Sequence, residues 1–263
     1  MTAQAVSSAL PSALLDRATH PYRSGGRFTY YFARGKLGGD PAFANILRRG
    51  LIPSGARVLD LGCGQGVLAA LLAAADRAEP NAEPGAHWPA DWAPPPAAAT
   101  VRGIELMPRD VERARVALAA FGARAQVEQG DIRSADFARA DVVVILDVLH
   151  YIDFDAQRQL LMRVRDCLAP SGTLLLRVGD AAGGLRFRYS NWIDSLVLAA
   201  RGHGRPKLYC RPLTDWKQAL EAIGFSVETM PMHAGTPFAN MLLVGRLATT
   251  SPPAATSAPR PAP

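Results

Sequence analysis

Residues 58–66 read Val58-Leu59-Asp60-Leu61-Gly62-Cys63-Gly64-Gln65-Gly66, and an unbroken apolar run follows over residues 67–75. The pattern predicts a buried strand that enters a glycine turn and leaves it as an apolar helix. Glycines at alternate positions let the backbone take positive φ and let a ligand lie against the main chain with no Cβ between them. Dinucleotide-binding turns have the spacing G-x-G-x-x-G, with the third glycine serving a pyrophosphate at the helix start. Here the spacing is G-x-G-x-G, and the acidic Asp60 lies just before it. A carboxylate is a poor neighbour for a phosphate and a good one for a cation. The ligand expected is a nucleoside carrying an ammonium or sulfonium group.

Outward from this turn, short β-branched runs at 57–61, 100–106, 125–129, 141–146 and 173–178 alternate with helical patterns at 67–75, 108–121 and 155–168. That rhythm predicts a parallel sheet covered by helices. Pro108 in a first turn and Gly122 just past the end are good start and stop signals for the second of these helices. After Val178 the rhythm changes. Helices are expected at 185–200 and 213–223, and strands at 225–232 and 238–247, two adjacent strands that suggest an antiparallel finish.

The run V-L-D-L-G-C-G-Q-G resembles motif I of the class I S-adenosylmethionine-dependent methyltransferases, and later matches follow in order. Gly103-Ile104-Glu105-Leu106 ends the second strand where the family's acidic residue takes both ribose hydroxyls. Gly130-Asp131-Ile132 ends the third, where an acidic or polar residue holds the adenine amino group and Ile132 flanks the ring. Residues 141–151, DVVVILDVLHY, are similar to motif IV, and 169–174 to the turn entering the fifth strand. The resemblance spans roughly residues 28–247. It implies an α/β, Rossmann-like seven-stranded sheet, mostly parallel with an antiparallel last strand and helices on both faces. It also implies S-adenosyl-L-methionine as cofactor, held by Asp60, Gly62, Cys63, Gly64, Gly66, Glu105, Leu106, Asp131, Ile132 and Leu146. Transfer of the activated methyl asks the protein mainly for alignment, with a general base only where the nucleophile holds a proton. Asp147 and His150, just past the fourth strand, are the candidates for that base, and Tyr151 for the pocket wall. Taken alone, Glu105 is equally well a solvated strand-end carboxylate, and Asp131 a turn residue.

Three regions lie around this core. Residues 1–50 contain Tyr30-Tyr31-Phe32-Ala33-Arg34-Gly35-Lys36, an aromatic and basic segment expected to form a helical lid. Tyr31 and Arg34 are assigned to the substrate side, and Arg34 or Lys36 to the methionine carboxylate. Within the main domain, 51–248, two insertions stand out. Residues 76–99 are proline-rich and read as an unpacked surface loop at the end of the sheet opposite the cofactor; residues 249–263 read as a disordered tail. The second insertion, 183–211, carries Arg186, Arg188, Arg201, Arg205, Lys207 and Arg211 against Asp194 alone. It therefore holds +5 of the chain's net +6, interleaved with Phe187, Tyr189, Trp192 and Tyr209. A basic, aromatic-lined cap suits an anionic acceptor, so Arg186, Arg188 and Trp192 join the substrate residues. A solvated helix with one packed apolar face is the plainer alternative.

Composition narrows the classes. Of 29 basic residues only Lys36, Lys207 and Lys217 are lysine; with 46 alanines the arginine excess fits codon bias as well as nucleic-acid binding. The longest apolar run, 67–75, is far below the 18 residues a membrane-spanning helix needs. The first residues lack a basic stretch followed by an apolar one, so no secretory signal is expected. Cys63, Cys167 and Cys210 are an odd, widely spaced set with no zinc-ligand pattern, which suits a reduced cytoplasm and no metal. The function expected is methyl transfer to a small-molecule or carrier-protein-bound anionic acceptor, at oxygen before carbon or nitrogen. No base-amine motif, no Pro-Cys nucleophile and no RNA-binding module favours a nucleic-acid methyltransferase, the alternative acceptor class. A non-catalytic accessory subunit on the same fold is the other alternative.

Overall fold

The computed structural model describes residues 9–76, 88–182, 208–232 and 240–247. The predicted helix at 185–200, the residues Arg186, Arg188 and Trp192, most of the proline-rich stretch's first half and the tail lie outside the described residues.

Seven strands form one sheet: β1 Arg57–Leu61, β2 Thr100–Glu105, β3 Ala125–Gln129, β4 Ala140–Leu146, β5 Leu168–Gly179, β6 Phe225–Pro231 and β7 Asn240–Leu247. Their spatial order is β3-β2-β1-β4-β5-β7-β6. The first five are mutually parallel, and β7 runs antiparallel to both β5 and β6. The helices are α1 Ser12–Thr19, α2 Arg27–Gly39, α3 Pro41–Arg48, α4 Val67–Ala75, α5 Pro108–Leu118, α6 Phe154–Cys167 and α7 Leu213–Ala222.

Residues alternate sides along the central strands, so β4 sends Val142 and Val144 to one core and Val143 and Ile145 to the other. The first core is closed by α1 to α5 and the second by α6 and α7. This is why β4, a near-continuous apolar run, reads without a polar face: it is covered on both sides. The chain winds from β1 outward through β2 and β3, then crosses back to β4 on the other side of β1. The carboxyl ends of β1 and β4 thus flank the point where strand order reverses, the usual ligand crevice of an open α/β sheet.

Two details differ from the sequence expectations. Strand β5 begins at Leu168 rather than Thr173, because the Ala169–Gly172 stretch bulges between the pairs Ala140↔Leu168 and Val142↔Thr173. The composition of the proline-rich stretch predicts an unpacked loop, yet its second half is tied down. Trp88 and Trp92 meet edge to face at 5.4 Å and pack on the first core. The Trp88 indole N–H donates to the Ala93 carbonyl at 2.7 Å, and the Ala93 N–H to the Arg48 carbonyl at 2.8 Å. Two tryptophans among the prolines outweigh the composition that suggested a free loop. The segment runs beside the amino ends of β1 and β2, away from the glycine turn.

The two ends of segment 183–207 are fastened together. The Ala181 N–H donates to the Arg211 carbonyl at 3.2 Å, the Leu213 N–H to Asp180 Oδ1 at 3.1 Å, and the Tyr209 N–H to the His150 carbonyl at 2.9 Å. The wholly buried Gln157 donates to the carbonyls of Leu149, Ile152 and Tyr209, and its own oxygen accepts from Arg211 Nε at 2.9 Å. Arg211 also lies over the rings of Phe154 and Trp216, so this arginine of the basic insertion fastens its exit.

Candidate active site

The three glycines of the turn all have positive φ: 74° at Gly62, 55° at Gly64 and 71° at Gly66. Their reasons differ. A Cβ on Gly62 would stand 2.4 Å from Val148 Cγ2, and one on Gly66 2.7 Å from Leu118 Cδ1, so both serve packing. A Cβ on Gly64 would meet nothing within 4 Å, and Gly64 lines a cavity of about 100 Å³. Its other walls include Asp60, Gly62, Cys63 and Gln65 of the turn, Leu146 at the end of β4, and Phe32 and Lys36 of α2. The Tyr22 hydroxyl donates to the Gln65 carbonyl at 2.8 Å, pinning the turn to the N-terminal helices.

Asp60 is 4% exposed, and burial, with the Glu105 carboxylate adding repulsion, pushes its carboxyl up to about 7. Glu105 reaches back to the turn: its Oε2 accepts from the Gly64 N–H and its Oε1 from the Met107 N–H, both at 2.9 Å. A carboxylate offers about four lone-pair positions, so each oxygen keeps one for a further donor. Beside it Leu106 is 55% exposed, an apolar shelf at the carboxyl end of β2. Asp131 is engaged otherwise. It accepts from the Arg133 main-chain N–H at 2.9 Å and takes the Arg133 guanidinium on both oxygens, which holds its carboxyl below the usual range. This is the turn role; an adenine amino group would have to share the carboxylate with Arg133. Ile132 is buried in the second core. The Cys63 thiol is buried against Gly103, where a Cβ would meet its Sγ at 2.5 Å, and burial pushes its pKa up.

On the acceptor side the arrangement departs from expectation. Asp147, at φ 60°, is held by Arg177, whose Nε donates to Oδ1 at 2.8 Å and whose second nitrogen reaches Oδ2. Lys36 Nζ lies 3.6 Å from Asp147 and 2.9 Å from Asp40, and Arg177 also binds Asp40. Burial alone would raise both carboxyls, but Arg177 and Lys36 outweigh it and hold them below the ordinary range. A carboxylate so paired is a weak proton acceptor. His150 sits in the short turn Leu149–Tyr151, where burial lowers its pKa against an opposing pull from Asp147. The imidazole is therefore neutral at pH 7. The half-exposed Tyr151 ring lies 4.0 Å from it, centroid to centroid.

Tyr31 and Arg34 do not come to this cavity. With 100° per residue, the α2 positions facing it are Phe32 and Lys36, while Thr29, Ala33 and Leu37 face the core. Arg27, Tyr30, Tyr31 and Arg34 share the remaining face, where with Arg23 they line a separate depression, and Arg34 pairs with Asp16. Sequence reasoning also missed Asp40 and Arg177. A signal existed for Arg177: an arginine inside the run L-L-L-R-V, in a strand buried on both faces, must find acidic partners.

Comparison with known proteins gives a consistent picture. A family model described as "Methyltransferase domain" matches residues 35–230. The carboxy-S-adenosyl-L-methionine synthase of Chromohalobacter salexigens is 33% identical over 124 residues, covering 46% of this chain. The chain spans only 39% of that curated relative's length. An O-methyltransferase family protein from Burkholderia thailandensis superposes with a TM-score of 0.59 at 20% identity, over 93% of this chain and 66% of that one. Magnesium protoporphyrin IX methyltransferase from Synechocystis, solved with bound SAH, gives 0.56 at 20% identity, over 90% and 95%. At such identities these two likenesses speak for the fold. Among the described residues, no helix is long and apolar enough to cross a membrane.

Proposed function

The chain belongs to the methyltransferase-domain family, and on that premise we propose that it transfers the methyl group of S-adenosylmethionine to an oxygen of a small, anionic or carrier-bound acceptor. The observation that carries the donor assignment is the open face of Gly64 between two carboxylates, Asp60 and Glu105. A donor with a positively charged sulfonium and a vicinal diol matches that set; a phosphate-rich dinucleotide does not. When bound, the donor supplies an already activated methyl group.

The roles of the protein's residues follow from their chemistry. Glu105 would accept the two ribose hydroxyls, each charge-assisted bond contributing about 1.5–3 kcal/mol. The half-open cavity of about 100 Å³ is short of the ~300 Å³ typical of small-ligand pockets. It therefore suits the amino-acid end of the donor, with the nucleoside lying over the exposed Leu106 toward Asp131 and Ile132. Asp60 would offset the donor's positive charge. His150, neutral at pH 7, is the residue to accept the acceptor's proton, and Asp147, tied to Arg177 and Lys36, positions rather than accepts. Alignment of acceptor and methyl can supply about 7–11 kcal/mol of barrier lowering. Arg186, Arg188 and Trp192 remain the residues proposed for the anionic part of the acceptor, with Tyr151 at the pocket wall.

Isothermal titration with S-adenosylmethionine and S-adenosylhomocysteine tests the donor, and absence of binding by either sinks the proposal. Glu105→Ala is expected to weaken binding by about 2–3 kcal/mol; an unchanged dissociation constant removes Glu105 from the site. Labelled donor incubated with extracts of the source organism distinguishes a small molecule or carrier protein from RNA by where the label goes.

A further inference from the structure

Among the described lysines and arginines only Arg177 is fully buried, 1% exposed between Leu176 and Val178 in the middle of the sheet. Placing a guanidinium there costs several kcal/mol unless it is paired. One carboxylate would meet that need, and an apolar side chain would avoid it. The structure instead spends four charged groups: Arg177 joins Asp147 at the end of β4 to Asp40 at the start of α3, and Lys36 of α2 closes the circuit onto both acids.

The members are anchored on the main chain as well. Asp40 caps α3, its Oδ1 accepting from the Ala42 N–H at 3.0 Å. The Asp147 N–H donates to the Arg177 carbonyl at 3.3 Å. The result is a rigid frame around one flexible member. A lysine ammonium on a four-carbon stem ordinarily samples many positions; here it stands between two fixed carboxylates. Lys36 is also the member that lines the cavity with Asp60 and Gly64. An ammonium has three N–H donors; one points to Asp40 at 2.9 Å while Asp147 stands at ion-pair distance, 3.6 Å, which leaves donor capacity for the cavity.

We propose that Arg177 is a positioning residue which, through Asp40 and Asp147, aims Lys36 at the carboxylate of the donor's amino-acid end. The inference rests on the donor proposed above and adds which residue reads that end and what orients it. Two cations and two acids cancel, so the frame receives a zwitterionic amino acid without a net charge penalty. Arg177 touches neither donor nor acceptor and acts through the two acids it grips.

The test compares two ligands that share nucleoside and thioether: S-adenosylhomocysteine, which has the amino-acid end, and 5′-methylthioadenosine, which lacks it. Titrations use the full chain and its Arg177→Lys and Lys36→Gln variants. Arg177→Lys keeps the charge but cannot span both carboxylates as a planar fork does. It is expected to weaken S-adenosylhomocysteine at least tenfold while leaving methylthioadenosine within twofold, and Lys36→Gln to do the same. Equal weakening of both ligands, or no change in either, overturns the proposal. If Arg177→Lys does not fold, Lys36→Gln decides alone, and an unchanged affinity for S-adenosylhomocysteine overturns it. A wild-type chain that binds both ligands equally refutes this inference only; one that binds neither refutes the donor assignment as well.

Discussion

Asp60→Asn is expected to stabilise the ligand-free protein at alkaline pH and to weaken its hold on the donor. The buried carboxyl titrates at about 7 in the folded chain, against about 3.9 in an unfolded one. Below pH 4 it is neutral in both states and contributes no difference. Between about pH 4 and 7 the unfolded chain releases the proton while the folded chain keeps it, so stability falls as pH rises, and the penalty is complete above pH 7. At 1.36 kcal/mol per pH unit over about three units, the penalty approaches about 4 kcal/mol at pH 8. Asparagine has the shape without the charge and removes it. For a chain of this size about 2–4 °C of Tm accompanies each kcal/mol, so the variant should melt roughly 10 °C above wild type at pH 8 and level with it at pH 4. A cationic donor relieves the same penalty by favouring the ionised acid. Wild-type binding at pH 7, where the carboxyl is about half protonated, should therefore release about half a proton, visible in calorimetry as a dependence on buffer ionisation enthalpy, and Asp60→Asn should release none. A variant less stable than wild type at pH 8, or a difference equal at pH 4 and 8, refutes this reasoning.

Gly62→Ala and Gly64→Ala should separate folding from binding. The first places a Cβ 2.4 Å from Val148 and should lower Tm sharply; the second meets no atom, costs about 1 kcal/mol for its left-handed φ, and should abolish donor binding in a folded protein. Equal melting temperatures for the two, or a Gly64→Ala that binds normally, would contradict the division. His150→Gln should lower turnover and leave donor affinity alone. In wild type, activity should rise with pH through a midpoint below the ordinary histidine value of 6.5, because burial lowers that pKa; a midpoint above it would remove His150 as proton acceptor.

The glycine turn was legible because its spacing records a backbone conformation, and backbone conformation is local. That the sheet is parallel and covered by helices followed from the alternation of strand and helix runs, and the near-continuous apolar run of β4 records its burial on both faces. What escaped is set by tertiary neighbours. The phase of α2 could not be read from its composition: the side turned to the core carries the modest Thr29, Ala33 and Leu37, while large aromatics occupy the other faces. Tyr31 and Arg34 therefore looked as eligible as Phe32 and Lys36. Position at a strand end marks Asp147 and Asp131 in the sequence, but whether a strand-end acid is available depends on which arginine reaches it, and Arg177 and Arg133 do.

The fastening around Gln157 and Arg211 bears on how such a protein can change its acceptor. Residues 180–182 and 208–213 are bonded to each other and to the turn carrying His150, so whatever joins them begins and ends at one spot. Closing a chain segment whose ends already meet costs only about 0.6 kcal/mol more when its length doubles. The span between can therefore lengthen, shorten or be exchanged for another at little cost to the rest of the molecule. On the acceptor role proposed for residues 183–207, donor binding and acceptor choice would be separable, and an exchange of that span between its fastened ends would alter the second without the first.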